Sequence, residues 1–394
     1  MNLIVVSSVF AAMALWTLPA ASATSDDKFR GTSPVTLVYI AKGAPDACGP
    51  GCDRWIAVEG KIDEAAAARL RKVLLSRQAK GLPIYLHSPG GHARQSLAMG
   101  RMLRERKATA RVARTMVKEC GGDQASADCV KLKQGGKELE ATLTTAQAYC
   151  SSGCTFVLVG AVTREVAFGV RFAVHSAGIT LTDRLRGVPK ATRDRAIGRG
   201  LESLNRDIAA YLVAMGIDRG LFELIKTVRF ESLHALSRDE LFRFGIDRRE
   251  HVETDWTFTG SWIEKLVQAR GASDANDFRT RRWRLVCGTE RGMLLSYARN
   301  NRDEPLTSAV LRLGADQKIA FGALGRADMR IVTVDAGMIG KLKAAAQLSL
   351  MEVGTVDTAK GGEPPVRETI LSTTGLSRSI EQLSSSCSVF SRRG

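Results

Sequence analysis

Leu82 to Leu86 (LPIYL) is a short, almost wholly apolar run that passes through His87 into Ser88-Pro89-Gly90-Gly91. A strand this apolar belongs in a parallel sheet covered on both faces. About His92 to Arg106 follows as a helix, with Leu97, Met99, Met102 and Leu103 on its apolar side. Thr109 to Val117 is strand-like again by its β-branched content. This order predicts an α/β fold with a parallel sheet and right-handed crossovers.

The flanking sequence extends the pattern. Val35 to Ile40 and Trp55 to Val58 read as strands, and Asp63 can open a helix through Leu75 with Ala66, Leu70, Val73 and Leu74 on one face. Residues 118–148, rich in Gly, Lys, Asp and Thr, read as an irregular or hairpin insertion. Phe156 to Val162 suits a buried helix, and Val166 to Val174 a strand that ends at His175. Helices over Ala191–Met215 and Arg219–Val228 precede a capping box, Ser237-Arg-Asp-Glu240, whose helix Gly245 stops. One domain is therefore expected over 24–255. Residues 256–282 read as a linker or helix, and the short apolar runs of 283–394 as a small β-rich (α+β) domain.

The first residues read as an export signal. Leu3 to Leu15 is apolar apart from Ser7 and Ser8, and Ala21-Ser22-Ala23 places small residues before Thr24, as a secretory cleavage site requires. The expectation is a signal peptide over 1–23 and a mature chain in the periplasm or outside the cell. The alternative is a retained anchor. In an oxidising compartment eight cysteines suggest disulfides. Cys48 and Cys52 are expected to pair across Gly-Pro-Gly, and Cys287 with Cys387. Cys120, Cys129, Cys150 and Cys154 allow three pairings. If Cys150 and Cys154 lay on regular helix their Cβ atoms would be far apart, which favours bonds from the insertion to Cys150 and Cys154. No CxxC occurs and there are five His, so no metal site and no cofactor is expected. The net charge of +16 is spread over several predicted helices without aromatic interleaving. That suits a solvated basic face or an anionic envelope surface, and no nucleic-acid partner is expected.

PIYLHSPGG with a helix behind it resembles the Clp-protease (ClpP/crotonase-like) fold and its oxyanion glycines. Cys150-Ser151-Ser152-Gly153-Cys154 before an apolar helix, and RFAVH ending in His175, extend the resemblance over about half of the chain that remains after cleavage. The box is similar to the C-x-S-x-C of exported Clp-protease-like proteins of Gram-negative bacteria. The resemblance implies a core of parallel strands with crossover helices, a homo-oligomer, and serine acyl transfer on a peptide or other acyl substrate. Ser152 would be the nucleophile, His175 the base, and the N–H groups of Gly91 and Gly153 the oxyanion donors. Matching Ser-x-Gly and the distance to Gly160 selects Ser151 instead. The family's Asp has no counterpart here, and Glu231 is the nearest acid to stand in for it. Either serine could equally just cap the helix. His87 and His92 flank the glycine turn as surface or supporting residues. Two functions stay open: an exported serine hydrolase, and a non-catalytic binding or scaffold protein on the same fold. A crotonase-type enzyme acting on coenzyme A thioesters ranks third, because that cofactor belongs to cytosol.

Overall fold

The computed structural model describes residues 32–178, 187–270, 278–288, 292–299, 305–322, 329–355, 364 and 366–390. The expected signal segment, 1–23, lies outside them.

The first lobe is built on a mixed sheet. Its strands are β1 (Leu37–Lys42), β2 (Arg54–Glu59), β3 (Ile84–His87), β4 (Thr109–Val112), β5 (Arg114–Val117), β6 (Leu139–Thr144) and β8 (Thr163–Glu165). They run in the order β5-β6-β1-β2-β3-β4-β8. β2, β3, β4 and β8 are mutually parallel, whereas β1–β2 and β5–β6 are antiparallel pairs. A second small sheet joins β7 (Tyr149–Ser151) in parallel to β9 (Arg171–Val174), with β10 (His234–Ala235) antiparallel on β9.

Helices α1 (Ala66–Leu74), α2 (Ala93–Glu105) and α4 (Gly153–Gly160) cover one face of the main sheet. Every residue of α4 is buried. Burial of Phe156, Val157, Leu158 and Val159 stabilises by roughly 1.5–3 kcal/mol each. The crossing of α2 and α4 is close because a Cβ on Gly160 would strike the Gly100 backbone. The insertion, with α3 (Ala127–Gln134), covers the other face, where Val130 and Leu132 pack on the cluster that holds Tyr39 and Trp55. Lys133 of α3 is buried and reaches the Glu59 carboxylate at the end of β2. The insertion is thus a structured cover, a helix followed by β6, which pairs antiparallel with β5 just before it.

Helices α5 (Lys190–Ala214), α6 (Arg219–Thr227) and α7 (Arg238–Arg243) complete the lobe, α7 opened by the expected Ser237/Glu240 capping box.

The second lobe has its own core around Trp256, Trp283, Tyr297 and Leu350. Its larger sheet holds β11 (His251–Glu253), β12 (Thr257–Phe258), β13 (Trp262–Arg270), β14 (Phe278–Cys287), β15 (Met293–Arg299) and β18 (Met329–Val334). Its smaller sheet holds β16 (Leu306–Leu313), β17 (Gln317–Ala320), β19 (Leu348–Gly354) and β20 (Val366–Leu371). Helices α8 (Ala336–Ala344) and α9 (Leu376–Phe390) belong to this lobe. The expectation of a linker or helix over 256–282 is corrected here. β13 and the start of β14 fill most of it and pair residue by residue from Trp262–Val286 to Arg270–Phe278. β11 joins the same sheet, pairing with β13 from His251–Ala269 to Glu253–Val267.

Four disulfides close the described chain: Cys48–Cys52, Cys120–Cys129, Cys150–Cys154 and Cys287–Cys387. The first and last pair as expected. The expected bonds from the insertion to Cys150 and Cys154 do not form. Cys150 lies on β7 and Cys154 in the first turn of α4, so they are not on one regular helix, and the reversal between them brings their Cα atoms to 5.2 Å. Among the described residues no helix is long and apolar enough to cross a membrane.

Candidate functional site

The site forms where β3 and β7 end side by side. Ser88 N–H donates to Tyr149 O and Ser151 N–H to Ser88 O, both at 3.0 Å, which stitches the end of β3 to β7. The buried Ser88 hydroxyl donates to Gly60 O and accepts from Gly90 N–H, fixing the glycine turn from below. Gly90 has φ +92° and Gly91 φ +142°, values that only glycine adopts without strain. A Cβ on Gly90 would lie 2.5 Å from Ser151 O, 2.6 Å from Gly153 N and 2.7 Å from Ser152 Cβ. Glycine is therefore what lets this turn lie against the serine box.

The glycine turn also aims its amides. Ile62 N–H donates to Gly90 O and His92 N–H to Ile62 O, so Gly91 pairs with Ile62 only through its neighbours. The N–H of Gly91 points the other way, and neither it nor the N–H of Gly153 is spent on a backbone acceptor among the described residues. A Cβ on Gly153 would lie 3.3 Å from both the N and the O of Gly91, so the two backbones lie close together. Gly153 is the first residue of α4, where the helix presents its positive end. Two such donors suit a developing oxyanion.

The two serines of the box differ sharply. Ser151 is on β7, fully buried, and its Oγ has no hydrogen-bond partner among the described residues. Ser152 is partly exposed and sits at φ +54°, ψ −125°. A residue with a Cβ holds such a conformation only when its surroundings impose it, at a cost of about 1–3 kcal/mol. Ser152 occupies the N-cap position of α4, yet its side chain makes no capping bond. Ser152 therefore does not cap the helix, and of the two serines it is the one with an exposed surface.

His175 follows β9 directly. Ser152 N–H donates to Ala173 O at 2.8 Å, and Ser151 pairs with Ala173 in the parallel register. Ser152 and His175 therefore leave the carboxyl ends of two neighbouring parallel strands, the edge at which open α/β sheets gather functional groups. Burial lowers the His175 pKa, with the Ser176 backbone and the charge of Glu231 opposing that shift. The imidazole is thus biased towards its neutral, proton-accepting form. Phe230 meets it edge-on, ring centroids 5.1 Å apart, and Ser176 N–H donates to Val228 O, which holds the 228–231 segment alongside.

Glu231 is not joined to the imidazole. Its side chain is 71% exposed and lies 3.8 Å from Arg229, while His175 Nδ1 has no hydrogen-bond partner among the described residues. Its charge reaches His175 but does not orient the ring. His92 caps α2, accepting from Gln95 N–H. His87 accepts from Tyr149 N–H and packs on the Tyr149 ring; burial and the charges of Arg114, Lys133 and Arg171 push its pKa down to about 3. His87 is a neutral structural residue beneath the turn. Among the described residues no group of three His, Cys, Asp or Glu side chains is placed to hold a metal ion.

No protein-family model matches the chain, and no curated protein does. Among solved structures it is similar to a point mutant of ClpP1 from Listeria monocytogenes, at 15% identity and a TM-score of 0.29, covering 55% of this chain and 89% of that one. It is also similar to invasion associated protein B from Bartonella henselae, at 13% identity and a TM-score of 0.24, covering 33% of this chain and 94% of that one. At these scores neither likeness assigns a fold family or an activity. The chemistry rests on the residues.

Sequence reasoning had no means of finding the backbone of Ser152. A positive φ at a serine leaves no mark in the letters, whereas Gly90-Gly91 announces its own turn.

Proposed function

We propose that the protein is an exported serine hydrolase, a peptidase or other acyl hydrolase on a Clp-protease-like core. Ser152 is the nucleophile, His175 its base, and the N–H groups of Gly91 and Gly153 the oxyanion donors. The observation that carries this reading is Ser152 itself: a strained residue on a sharp strand-to-helix turn with its hydroxyl free of capping. Serine hydrolases expose their nucleophile on such turns. In the reaction the neutral His175 removes the Ser152 proton as the oxygen attacks the acyl carbon, and returns it to the leaving group. The four disulfides and the apolar N-terminal segment support an oxidising compartment, the periplasm or the cell exterior.

A biotinylated fluorophosphonate tests the reading. The mature protein is expected to form a covalent adduct that heat denaturation abolishes. A folded protein that stays unlabelled would end the hydrolase reading. One observation favours a second reading, a non-catalytic binding module: the unaccompanied Nδ1 of His175, where a triad would place a carboxylate. The same experiment separates the two.

A further inference from the structure

We infer that the Cys150–Cys154 disulfide is a positioning element for Ser152, holding the nucleophile in its strained conformation. This rests on the hydrolase reading. The bond joins the residue two before Ser152 to the residue two after it, so it spans the reversal symmetrically. Both cysteines are fully buried, at 0% and 1% exposure, and the clamp is anchored in the core.

The need for a clamp follows from helix physics. The first turn of a helix has unpaired N–H groups and is ordinarily fixed by a side-chain cap from the N-cap residue. In α4 that residue is Ser152, and a hydroxyl engaged in capping is not free to attack an acyl carbon. Thr155 turns back instead, its N–H and hydroxyl both donating to Ser152 O at 3.0 and 2.6 Å. These bonds hold the Ser152 carbonyl, and the bond from its N–H to Ala173 O holds its nitrogen against β9, but neither ties β7 to the first turn of α4. The disulfide supplies that constraint, tying β7 to the first turn. It therefore sets both the direction of the Ser152 side chain and the place of the Gly153 N–H. The donor and the nucleophile move together if it opens.

A matched control exists in the same chain. Cys48–Cys52 closes a loop of the same sequence separation, with Cα atoms 5.1 Å apart, far from the serine box in sequence. The experiment compares Cys150→Ala/Cys154→Ala with Cys48→Ala/Cys52→Ala in the mature chain, reading fluorophosphonate inactivation as a maximal rate constant and a half-saturating concentration. Equal loop lengths give similar losses of thermal stability in the two variants. The site variant is expected to lose roughly 10²-fold in maximal rate, the scale of a misplacement of about 1 Å, with half-saturation unchanged. The control is expected to keep the wild-type rate. Equal rates in the two variants would overturn the inference. Should the site variant not fold, Cys150→Ser/Cys154→Ser, which keeps nearly the native side-chain size, is measured in its place. It is expected to label slowly, and full-rate labelling would overturn the clamp. A wild type that never labels removes the hydrolase reading, and this inference with it; a labelling wild type with an unaffected site variant removes the clamp alone.

Discussion

Two loops in this protein have the same covalent outline and opposite characters. Cys48 to Cys52 and Cys150 to Cys154 each close five residues with one disulfide, and their Cα separations are 5.1 and 5.2 Å. In the first, the chain reverses on Gly49 at φ +115° and Gly51 at φ +71°, residues that take such angles without steric cost. In the second, a serine makes the reversal at φ +54°. The Gly-Pro-Gly loop is a turn stapled shut. The Ser-Ser-Gly loop carries a residue the backbone would not choose, a partly exposed serine between the glycine turn and the strand that leads to His175. Strain located on a serine, and absent from the matching loop, is what sets the proposed functional turn apart from the structural one.

The comparison breaks most visibly on removing the chemistry. Ser152→Ala and His175→Ala are each expected to lower the maximal hydrolysis rate by roughly 10⁴- to 10⁶-fold, and the double variant to be little worse, because such groups act as a unit. Ser151→Ala should leave activity within tenfold, since that side chain is sealed in β7. Loss of activity in Ser151→Ala with survival in Ser152→Ala would reverse the assignment.

Stability should move in opposite directions in the two loops. Ser152→Gly relieves the positive φ and is expected to raise the unfolding free energy by about 1 kcal/mol while abolishing activity. Gly51→Ala, with no atom within 4 Å of the new Cβ, adds only backbone strain and should lower it by about 1 kcal/mol. Urea denaturation midpoints at constant slope measure both. Shifts of the same sign would show that Ser152 is not held against its preference.

The smallest effect concerns charge. His175 must be neutral to accept a proton, and burial lowers its pKa, so the rate should rise with pH through an inflection below the ordinary histidine value of about 6.5. Because the unfolded chain takes up that proton at higher pH than the folded one, this residue's contribution to stability also falls as pH drops from about 6.5 towards the lowered value. Glu231 opposes the shift, so Glu231→Gln should move the inflection slightly lower and change the plateau rate by less than about tenfold. A loss near 10⁴-fold, as when the orienting carboxylate of a triad is replaced by its amide, would show that Glu231 turns inward during the reaction.

These loops also show what the letters carry. β3, its glycine turn and α2 were legible because apolar runs and adjacent glycines state their own geometry, and the Cys48–Cys52 bond because glycine announces the reversal. The Cys150–Cys154 bond was not, since it depends on a positive φ at a serine. The strand over Trp262–Arg270 was hidden for a related reason. Its inward positions are Ile263, Lys265 and Val267, and the lysine interrupts the apolar alternation. Lys265 is buried because it meets the Glu253 carboxylate at 3.0 Å and donates to Thr254 O at 2.7 Å, partners supplied by the neighbouring strand and the residue just after it. Local pattern reads what local residues determine; a strained serine and a paired lysine are determined by what folds against them.

The most direct test of the central claim is a crystal structure of the phosphonylated protein. The account predicts phosphorus bonded to Ser152 Oγ, with one phosphonyl oxygen within about 3.1 Å of both the Gly91 and Gly153 nitrogens. Phosphorus on any other side chain, or an oxygen that meets neither nitrogen, would contradict it.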